Sequence, residues 1–393
     1  MQSDSQDRAR KTMDYLNRYM KTRSASEHFW VNHQRFLRSR GYELRPRYHP
    51  DWVPSWTLPG ATVGDNEDQF EDSYKPRKDR VMDATRISDG QKVVLRCVTT
   101  WKPELTTLLY LNLDRNRHPH NRTFHLLDII PLCDNDDVAI IVMPFLRLFH
   151  SPPFRHLREP VDAMRQLFQG LKFLHWHNIT HGDACLYNLM MDSSQVVPDG
   201  FHFLRPQYKP SGGDHYEWRD RCYADPPVAY YFIDFGLCGY HPNGPQTAQA
   251  IGICGQDRTV PELSKTVPYN PFKVDIYQLG NTFVELSEQY PILMTTFGPL
   301  LRAMTRQDPQ ARPTAAEVLD HFEEICSRIP PSELAEKMHY ELRSNGYDSG
   351  DSVSDHELFS APSSSEHLPY EENDGVQSNK PDAANDGLNE ASS

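Results

Sequence analysis

The stretch HGDACLYN at residues 181–188, together with IDFG at residues 233–236, decides the fold of this chain. Asp183 stands where a base for a hydroxyl nucleophile is needed, and Asn188 and Asp234 offer oxygen ligands for magnesium beside nucleotide phosphates. Each motif alone is weak, because Asp and Asn are also common turn residues. The order HGDxxxxN, IDFG, VPE, DIYQLG and a late arginine is much harder to reach by chance, and it indicates phosphoryl transfer.

The negative charge of the chain is concentrated in its tail. The 393 residues carry a formal net charge of −13, and the segment from Ser344 onward holds eleven Asp and Glu against the single Lys380. That segment therefore accounts for −10, which leaves −3 for the first 343 residues. A nearly neutral body argues against nucleic acid as a partner. The Ser, Asp, Asn and Gly content of residues 344–393 predicts an acidic disordered tail.

Cysteine usage and hydropathy indicate a soluble intracellular protein, either cytoplasmic or nuclear. The seven cysteines are scattered and form no CxxC pair, so neither a disulfide framework nor a zinc site is predicted. The N-terminal stretch MQSDSQDRARK is too polar for a secretory signal. The longest plainly apolar run near the middle of the chain, Val138 to Met143, has six residues. A bilayer span needs about twenty, so no membrane partner is expected.

Residues 1–79 are predicted to form an N-terminal extension. Apolar residues recur at helical spacing up to about residue 45, and Gly41 marks the expected end of the helix. The next stretch, LRPRYHPDWVPSWTLPG, carries four prolines, which exclude a regular helix or a central strand. The Tyr and Trp residues between these prolines indicate packing onto a domain. Residues 64–78 are polar and are expected to form a mobile loop.

The segment from residue 80 onward has the pattern of a small, mostly antiparallel sheet with one helix. VMDATRIS and KVVLRCV predict a hairpin, a helix led by Pro103 follows, and two apolar runs at 124–132 and 138–146 complete the sheet. After Pro160, apolar residues recur along one face of a long helix, and helical patterns continue to about residue 342. The sequence therefore predicts an α+β fold.

In this order, the β-rich segment and the later motifs resemble the eukaryotic protein kinase fold over residues 80–328. The phrases GYELRPRYHPDWVPSW, VMDATRISDGQKVVL and TVPELS…YNPFKVDIYQLG are similar to those of a fungal group of kinase-like proteins with a degenerate Gly-rich loop. The resemblance implies a bilobal α+β fold, with a small antiparallel β lobe and one helix at 80–143. It also implies a larger helical lobe at 147–328, with an insertion at about 193–228.

The resemblance assigns the catalytic residues. Asp183 would be the base, and Asn188 and Asp234 would be the magnesium ligands. Further matches are the paired Glu262 and Arg312, Asp275 behind the catalytic loop, and the apolar stack Leu108, Leu126, His181 and Phe235.

Four further positions would hold the nucleotide, namely Arg96, Glu104, Val94 and Met143. Arg96 takes the place of the lysine that binds the α- and β-phosphates and pairs with a helix glutamate, here Glu104. Strand alternation puts Val94, the adenine-facing residue, on the same face as Arg96. Met143 would lie at the back of the pocket. The implied cofactors are ATP and Mg²⁺.

The small lobe departs from the family in its phosphate-binding parts. Arginine at position 96 is not a conservative replacement for lysine, although Lys92 on the same face is a possible substitute. Glu104 follows Arg96 by only eight residues, so the usual ion pair is expected to form differently or not at all. The Gly-rich loop is absent, since KPRKDRVMDATRISDGQ contains only Gly90, and backbone amides cannot approach the phosphates closely.

The catalytic loop lacks two cations. Gly182 replaces the usual arginine before the catalytic aspartate, and Cys185 replaces the lysine that neutralises the γ-phosphate. Loss of one group that stabilises transition-state charge commonly costs about 2.7–4 kcal/mol. We therefore expect slow turnover even where nucleotide binds.

Three functions follow from these observations. The first is a phosphotransferase that uses Mg-ATP on Ser or Thr of a protein substrate. The second is a pseudokinase that serves as a scaffold for a partner protein. The third is a small-molecule kinase, because HGD also occurs in such enzymes, although VPE, DIYQLG and Arg312 argue against it. The insertion at 193–228 is interpreted as a tolerated surface insertion in preference to a docking surface. The sequence does not determine the oligomeric state.

Overall fold

The fold combines a five-stranded antiparallel sheet with a set of helices. The structure is a computed structural model that describes residues 2–62, 70–76 and 79–338, with side chains from residue 6. The predicted acidic tail at 344–393 lies outside the described residues. The twelve strands of the described residues are β1 Tyr42–Leu44, β2 Val81–Arg86, β3 Lys92–Thr99, β4 Asp128–Pro131, β5 Val138–Pro144, β6 Arg147–Leu148, β7 Ile179–Thr180, β8 Leu189–Met191, β9 Tyr230–Phe232, β10 Gly239–Tyr240, β11 Ala250–Gly252 and β12 Ser264–Tyr269. The eight α-helices of the same residues are α1 Gln2–Tyr15, α2 Ala25–Ser39, α3 Pro103–Leu111, α4 Arg158–Trp176, α5 Pro271–Ser287, α6 Pro291–Met304, α7 Ala315–Ser327 and α8 Pro331–Leu334.

The main sheet has the strand order β1-β2-β3-β5-β4, with every pair antiparallel. The hairpin, the helix led by Pro103 and the β5 strand lie where the sequence predicts them. The general prediction of an α+β fold with an antiparallel sheet is thus confirmed. Three small antiparallel sheets, β6-β8-β9, β7-β10 and β11-β12, carry the loops of the helical region.

The two faces of β3 serve different cores. Alternate residues of a strand point to opposite faces. Val93 and Leu95 pack in the cluster that includes Trp30 and Leu37 of α2. Val94 lies in the cluster that includes the helical region. Arg96 shares that second face, as the alternation predicts.

The N-terminal extension is an integral layer of the sheet. Helix α2 begins with a capping box between Ser24 and Glu27, and the chain turns at Gly41, whose φ of 95° favours glycine. The next residues form β1, which pairs with β2. The boundary predicted at residue 80 is therefore wrong for the sheet, because its edge strand at 42–44 comes from the extension.

Two segments of the extension are fixed by buried polar contacts. The Arg47 guanidinium forms an ion pair with Glu27, and both side chains are fully buried. Asp72 accepts hydrogen bonds from the Trp52 indole and from the backbone N–H of Ser55, each at 2.8 Å. The polar stretch predicted as a mobile loop therefore includes an ordered 3₁₀ turn at Glu71–Ser73, whereas residues 63–69 and 77–78 lie outside the described residues.

Aromatic side chains fill the core between the later helices. Phe168 of α4 lies edge-on to Phe283 of α5 at 5.6 Å and to Phe322 of α7 at 5.2 Å, measured between ring centroids. Phe297 of α6 stacks on Phe322 at 5.3 Å. Each buried Phe contributes about 1.5–3 kcal/mol through removal of its surface from water. This core positions α5, which supports the candidate site.

Among the described residues, none of the helices combines the length and the apolar character that a membrane crossing would require.

Candidate functional site

The loop at 181–188 is held from behind by a buried carboxylate. Asp275 of α5 accepts hydrogen bonds from the backbone N–H of His181 at 2.8 Å and of Gly182 at 2.7 Å. His175 at the end of α4 lies 3.0 Å from the same carboxylate. Asp275 has no exposed surface, so these contacts fix the loop backbone firmly.

Position 182 requires glycine. Its φ is +78°, and a Cβ built there would lie 2.3 Å from the carbonyl oxygen of Leu237. A side chain would therefore collide with backbone that follows the Asp234-Phe235-Gly236 turn. This close approach explains why the chain has no arginine before Asp183.

Asp183 is tightly held by its own chain. Its carboxylate accepts hydrogen bonds from the Asn188 side-chain amide at 2.9 Å and from the backbone N–H of Gln256 at 2.8 Å. The Gln256 side-chain amide adds a third donor at 3.2 Å. The Cys185 thiol also interacts with this carboxylate, so the roughly four lone-pair sites of Asp183 are all engaged within the chain. Asp183 is only 7% exposed, and Gln256 covers one side of it.

Asn188 and Asp234 are brought together by strands β8 and β9. The backbone N–H of Ile233, the residue before Asp234, donates to the carbonyl oxygen of Asn188 at 2.9 Å. Asp234 has a left-handed backbone with φ 61°, and the ring of Phe235 beyond it lies 4.9 Å from the ring of His181. An amide and a carboxylate oxygen suit Mg²⁺, which takes its remaining ligands from water and phosphate.

An arginine joins the small sheet to this turn. The Arg96 guanidinium lies 2.6 Å from the Asp234 carboxylate and forms a second ion pair with Glu104 of α3. Burial alone would lower the pKa of Arg96, but the charges of Asp234 and Glu104 raise it instead. The ion pair that was expected to form differently or not at all does form, because α3 begins four residues after the end of β3 and presents Glu104 directly. It differs from the usual pair in that Arg96 also contacts Asp234.

Val94 and Met143 lie side by side, as expected, in the register of β3 and β5. Both are buried in the cluster that includes the helical region. On the other side of Val94, in the register of β2, lies Asp83. Asp83 is buried and lies 2.9 Å from the Arg45 guanidinium. Lys92 lies 3.7 Å from the same carboxylate, which does not support the substitute role considered for it. The face above the proposed adenine position is therefore charged.

The segment at 201–216 closes around the end of β5. Phe201 stacks on Phe145 with ring centroids 4.7 Å apart, and the Arg147 guanidinium lies 4.6 Å from the Phe201 ring. Arg147 also donates to the Pro206 carbonyl at 2.8 Å. Burial lowers the pKa of Arg147 to about 10. The interpretation of 193–228 as a tolerated surface insertion is therefore wrong for this part, which is packed into the core.

A cavity of about 500 Å³ lies beside these rings. Its walls come from the extension, the main sheet and the insertion, with Glu43, His49, Thr85, Phe145 and Phe203 among them.

An ion pair between Arg312 and Glu262 fixes the segment that follows Gln256. Arg312 donates to both oxygens of Glu262, at 2.6 and 2.8 Å, in the fork geometry that makes such pairs strong. Val260 packs with Val274 and Tyr277 in a small cluster. The four residues of the predicted apolar stack lie near one another: Leu108 and Phe235 are buried in one cluster, Leu126 packs against that cluster, and the His181 ring lies 4.9 Å from the Phe235 ring.

Sequence reasoning did not identify Gln256, Arg45 or Asp83. Gln256 reaches Asp183 across 73 residues, and nothing in its local pattern indicates that contact. A signal for Asp83 did exist, because it interrupts the apolar alternation of β2 on the face of Val94.

None of the protein-family models matches the chain, and no curated protein matches it significantly. The functional assignment therefore depends on the contacts described above.

Proposed function

We propose that the chain is a bilobal protein-kinase-like phosphotransferase that uses Mg-ATP and turns over slowly. The observation that carries the proposal is the ion-pair chain Glu104–Arg96–Asp234, which links the sheet to the turn next to Asn188. These are the residues that the resemblance assigns to phosphate and metal binding. Their assembly supports a nucleotide-binding cleft between the sheet and the helical region.

Each residue has a chemical role in this proposal. Asp183 accepts the proton of the attacking hydroxyl after the Gln256 side-chain amide moves away from its carboxylate. Asn188 and Asp234 would hold Mg²⁺, and the ion would supply positive charge next to the transferring phosphoryl group. Arg96, which contacts Asp234 and Glu104, would supply positive charge to the α- and β-phosphates.

The same geometry supports slow turnover. Gln256 must move for a substrate hydroxyl to approach Asp183 freely. Cys185 is buried and, because burial and the nearby Asp183 raise the pKa of its thiol, it supplies no charge to the γ-phosphate. A missing transition-state contact of this kind costs about 2.7–4 kcal/mol.

Protein substrates are favoured over small molecules by the braced segment after Gln256. The Glu262–Arg312 pair and the contacts of Asp275 hold a surface on which an extended peptide could lie next to Asp183. We therefore propose Ser or Thr of a protein as the acceptor.

A pseudokinase scaffold is the second candidate. It is favoured by the charged side chains of Arg45, Glu71 and Asp83 above the proposed adenine position, which we call the charged roof. The buried Arg45–Asp83 pair lies beside Val94, where an adenine ring would require an apolar surface. In this alternative the intact Asp183, Asn188 and Asp234 serve structure alone.

Transfer of labelled phosphate from Mg-ATP to the chain itself or to a generic basic protein tests the proposal. Asp183→Asn keeps the hydrogen-bonding shape and removes the base, so we expect transfer to fall at least about 100-fold. Equal transfer by the variant would contradict Asp183 as the base. No transfer by either protein, with no Mg-ATP binding, would favour the scaffold.

A further inference from the structure

The start of α4 and the end of the insertion meet at a buried carboxylate. Glu159 in the first turn of α4 accepts a hydrogen bond from the backbone N–H of Arg155 at 2.8 Å. Its other oxygen accepts from the backbone N–H of Arg221 at 2.9 Å. Glu159 is 1% exposed, so both segments are fixed around it.

His156 points its Nδ1 atom into this meeting point. Nδ1 lies 3.8 Å from the Cys222 sulfur, 3.8 Å from Oε1 of Glu159 and 3.8 Å from Oδ2 of Asp220. The two distances to oxygen exceed that of a hydrogen bond, and the distance to sulfur is at the outer limit of one. His156 is 9% exposed. A buried ring nitrogen thus faces three donor atoms of the kinds that metals bind.

The spacing of these atoms fits a tetrahedral metal. Zinc binds nitrogen and oxygen at about 2.0–2.2 Å and sulfur at about 2.3 Å, so neighbouring ligand atoms lie about 3.4–3.6 Å apart. The donor atoms of His156, Glu159 and Cys222 all lie within 4.8 Å of one another. A contraction of a few tenths of an ångström at the two His156 contacts, and of at most about 1.3 Å between Glu159 and Cys222, would bring these atoms to zinc.

We propose that His156, Glu159 and Cys222 bind one zinc ion, with the carboxylate of Asp220 as the fourth ligand. A mixed set of imidazole, thiolate and carboxylate suits Zn²⁺ better than Mg²⁺ or Ca²⁺, which prefer oxygen alone. The Cys222 thiol gives up its proton to solvent as the Zn–S bond forms. Cysteine spacing in the sequence predicts no zinc site here, because the ligands come from two separate segments. His156 and Cys222, for example, are 66 residues apart.

The surroundings already orient the ligands. The two backbone N–H donors hold the Glu159 carboxylate, and the Arg155 guanidinium forms an ion pair with Asp220. Ligands held by such outer contacts bind metal more tightly than free ones. The positive charges of Arg155 and Arg221 also balance the acidic ligands.

The expected role of the ion is to hold the end of the insertion against the start of α4. It would tie residues 155–159 to residues 220–222, and His156 also forms a β-bridge with Lys337 near the end of the described chain. The site shares no residue with Asp183, Asn188 or Asp234. Its test is therefore independent of the proposed phosphotransferase.

The experiment uses the full chain, stripped with a chelator and then titrated with Zn²⁺ or Co²⁺. We expect one zinc per chain after dialysis. We expect cobalt to give the strong visible bands of tetrahedral coordination and a thiolate-to-cobalt absorption in the near ultraviolet. Weak octahedral cobalt bands, or no zinc retained after dialysis, would overturn the proposal.

Variants identify the ligands. Cys222→Ser is expected to abolish the thiolate absorption. It should also weaken zinc binding by more than about 10–100-fold, which is the loss typical when a contact outside the ligand shell is removed. Cys326→Ser, at another half-buried cysteine, should keep both signals. If Cys222→Ser does not fold, alkylation of the unaltered protein decides the matter. Zinc should then protect Cys222 and leave exposed Cys254 reactive, and equal labelling of Cys222 with and without zinc would overturn the proposal.

Discussion

The loop that carries Asp183 and the face of the sheet above it differ in how closely they follow the proposed family. In the loop, Asp275 holds the backbone from behind and Asn188 lies beside the Asp183 carboxylate, while Gly182 and Cys185 replace the two cations of the family. On the sheet, the glycines are absent, and Arg45 and Asp83 form a buried ion pair next to Val94. Under the proposed function, the loop around Asp183 keeps more of the family's residues than the sheet face that would cover the nucleotide.

This difference indicates that the two sides of the cleft are under different physical constraints. The loop at 181–188 is short and is fixed by close backbone contacts, with Leu237 next to Gly182 and Asp275 behind it. The sheet face is instead built by the N-terminal extension, which supplies β1, Arg45 and Glu71. A cleft roofed by a fixed ion pair lacks the close backbone approach to phosphates that glycines provide.

The largest expected effect concerns the extension that builds the roof. Arg47→Met leaves the Glu27 carboxylate buried and unpaired, and breaking a buried ion pair costs about 3–5 kcal/mol in the free energy of unfolding. Urea unfolding of both proteins measures the difference. If the extension is only an appendage to the sheet, the main transition will not shift.

An exposed pair serves as the control for that measurement. Arg10→Met breaks the surface contact with Asp7 and should cost no more than about 1 kcal/mol. Arg47→Met combined with Glu27→Gln should recover part of the loss, because no uncompensated charge stays buried.

The next prediction uses pH to test the charged roof. Burial opposes ionisation of Glu71, but the hydrogen bond with His202 and the charge of Arg45 outweigh it and lower the pKa of Glu71 to about 2. A lowered carboxyl pKa means that ionised Glu71 stabilises the fold above its ordinary value of 4.5, and that this contribution disappears as the pH falls toward about 2. The contribution at neutral pH is at most about 3 kcal/mol.

Comparison of the unaltered protein with Glu71→Gln measures this contribution. The difference in unfolding free energy should be full at pH 6 and should shrink between about pH 5 and pH 2. Glu324→Gln, at an exposed pair with Arg328, should show a small difference at every pH. A difference for Glu71→Gln that stays constant with pH would mean that the roof does not depend on this charge.

The smallest expected effect concerns the catalytic side. Gln256→Ala removes one donor to Asp183 and leaves the backbone N–H in place. A hydrogen bond to a charged group is worth about 1.5–3 kcal/mol, and release of part of that restraint should raise kcat about threefold to tenfold. Gln246→Ala, at an exposed position upstream, should leave kcat unchanged. A fall in kcat for Gln256→Ala would mean that Gln256 positions Asp183 for catalysis.

Local motifs predicted several of the residues that meet around Asp183, and long-range contacts explain what the motifs missed. Asp183 and Asn188 stand out because they lie five residues apart in one loop, and Asp234 stands out because it begins the DFG motif, although 45 residues separate it from Asn188. Strand alternation also placed Val94 and Arg96 on one face. The Arg45–Asp83 pair and the Gln256 contact depend on segments 38 and 73 residues apart, and no local pattern encodes such a distance.

The packing of the insertion was missed for the same reason. Its Phe201 and Arg221 look like ordinary loop residues in sequence. In the fold, however, Phe201 covers Phe145, and Arg221 donates to the carbonyls of residues 149, 152 and 153. These residues come into contact with their partners only when the chain is folded.

Calorimetric titration of the full chain with Mg-ATP tests the central claim most directly, with Asp234→Asn as the matched variant. We expect binding at millimolar nucleotide or below that requires magnesium, and loss of the magnesium dependence in Asp234→Asn, because the amide lacks the charge that holds the ion. Absence of binding by the unaltered protein, or equal magnesium-dependent binding by the variant, would contradict a metal–nucleotide site at Asn188 and Asp234.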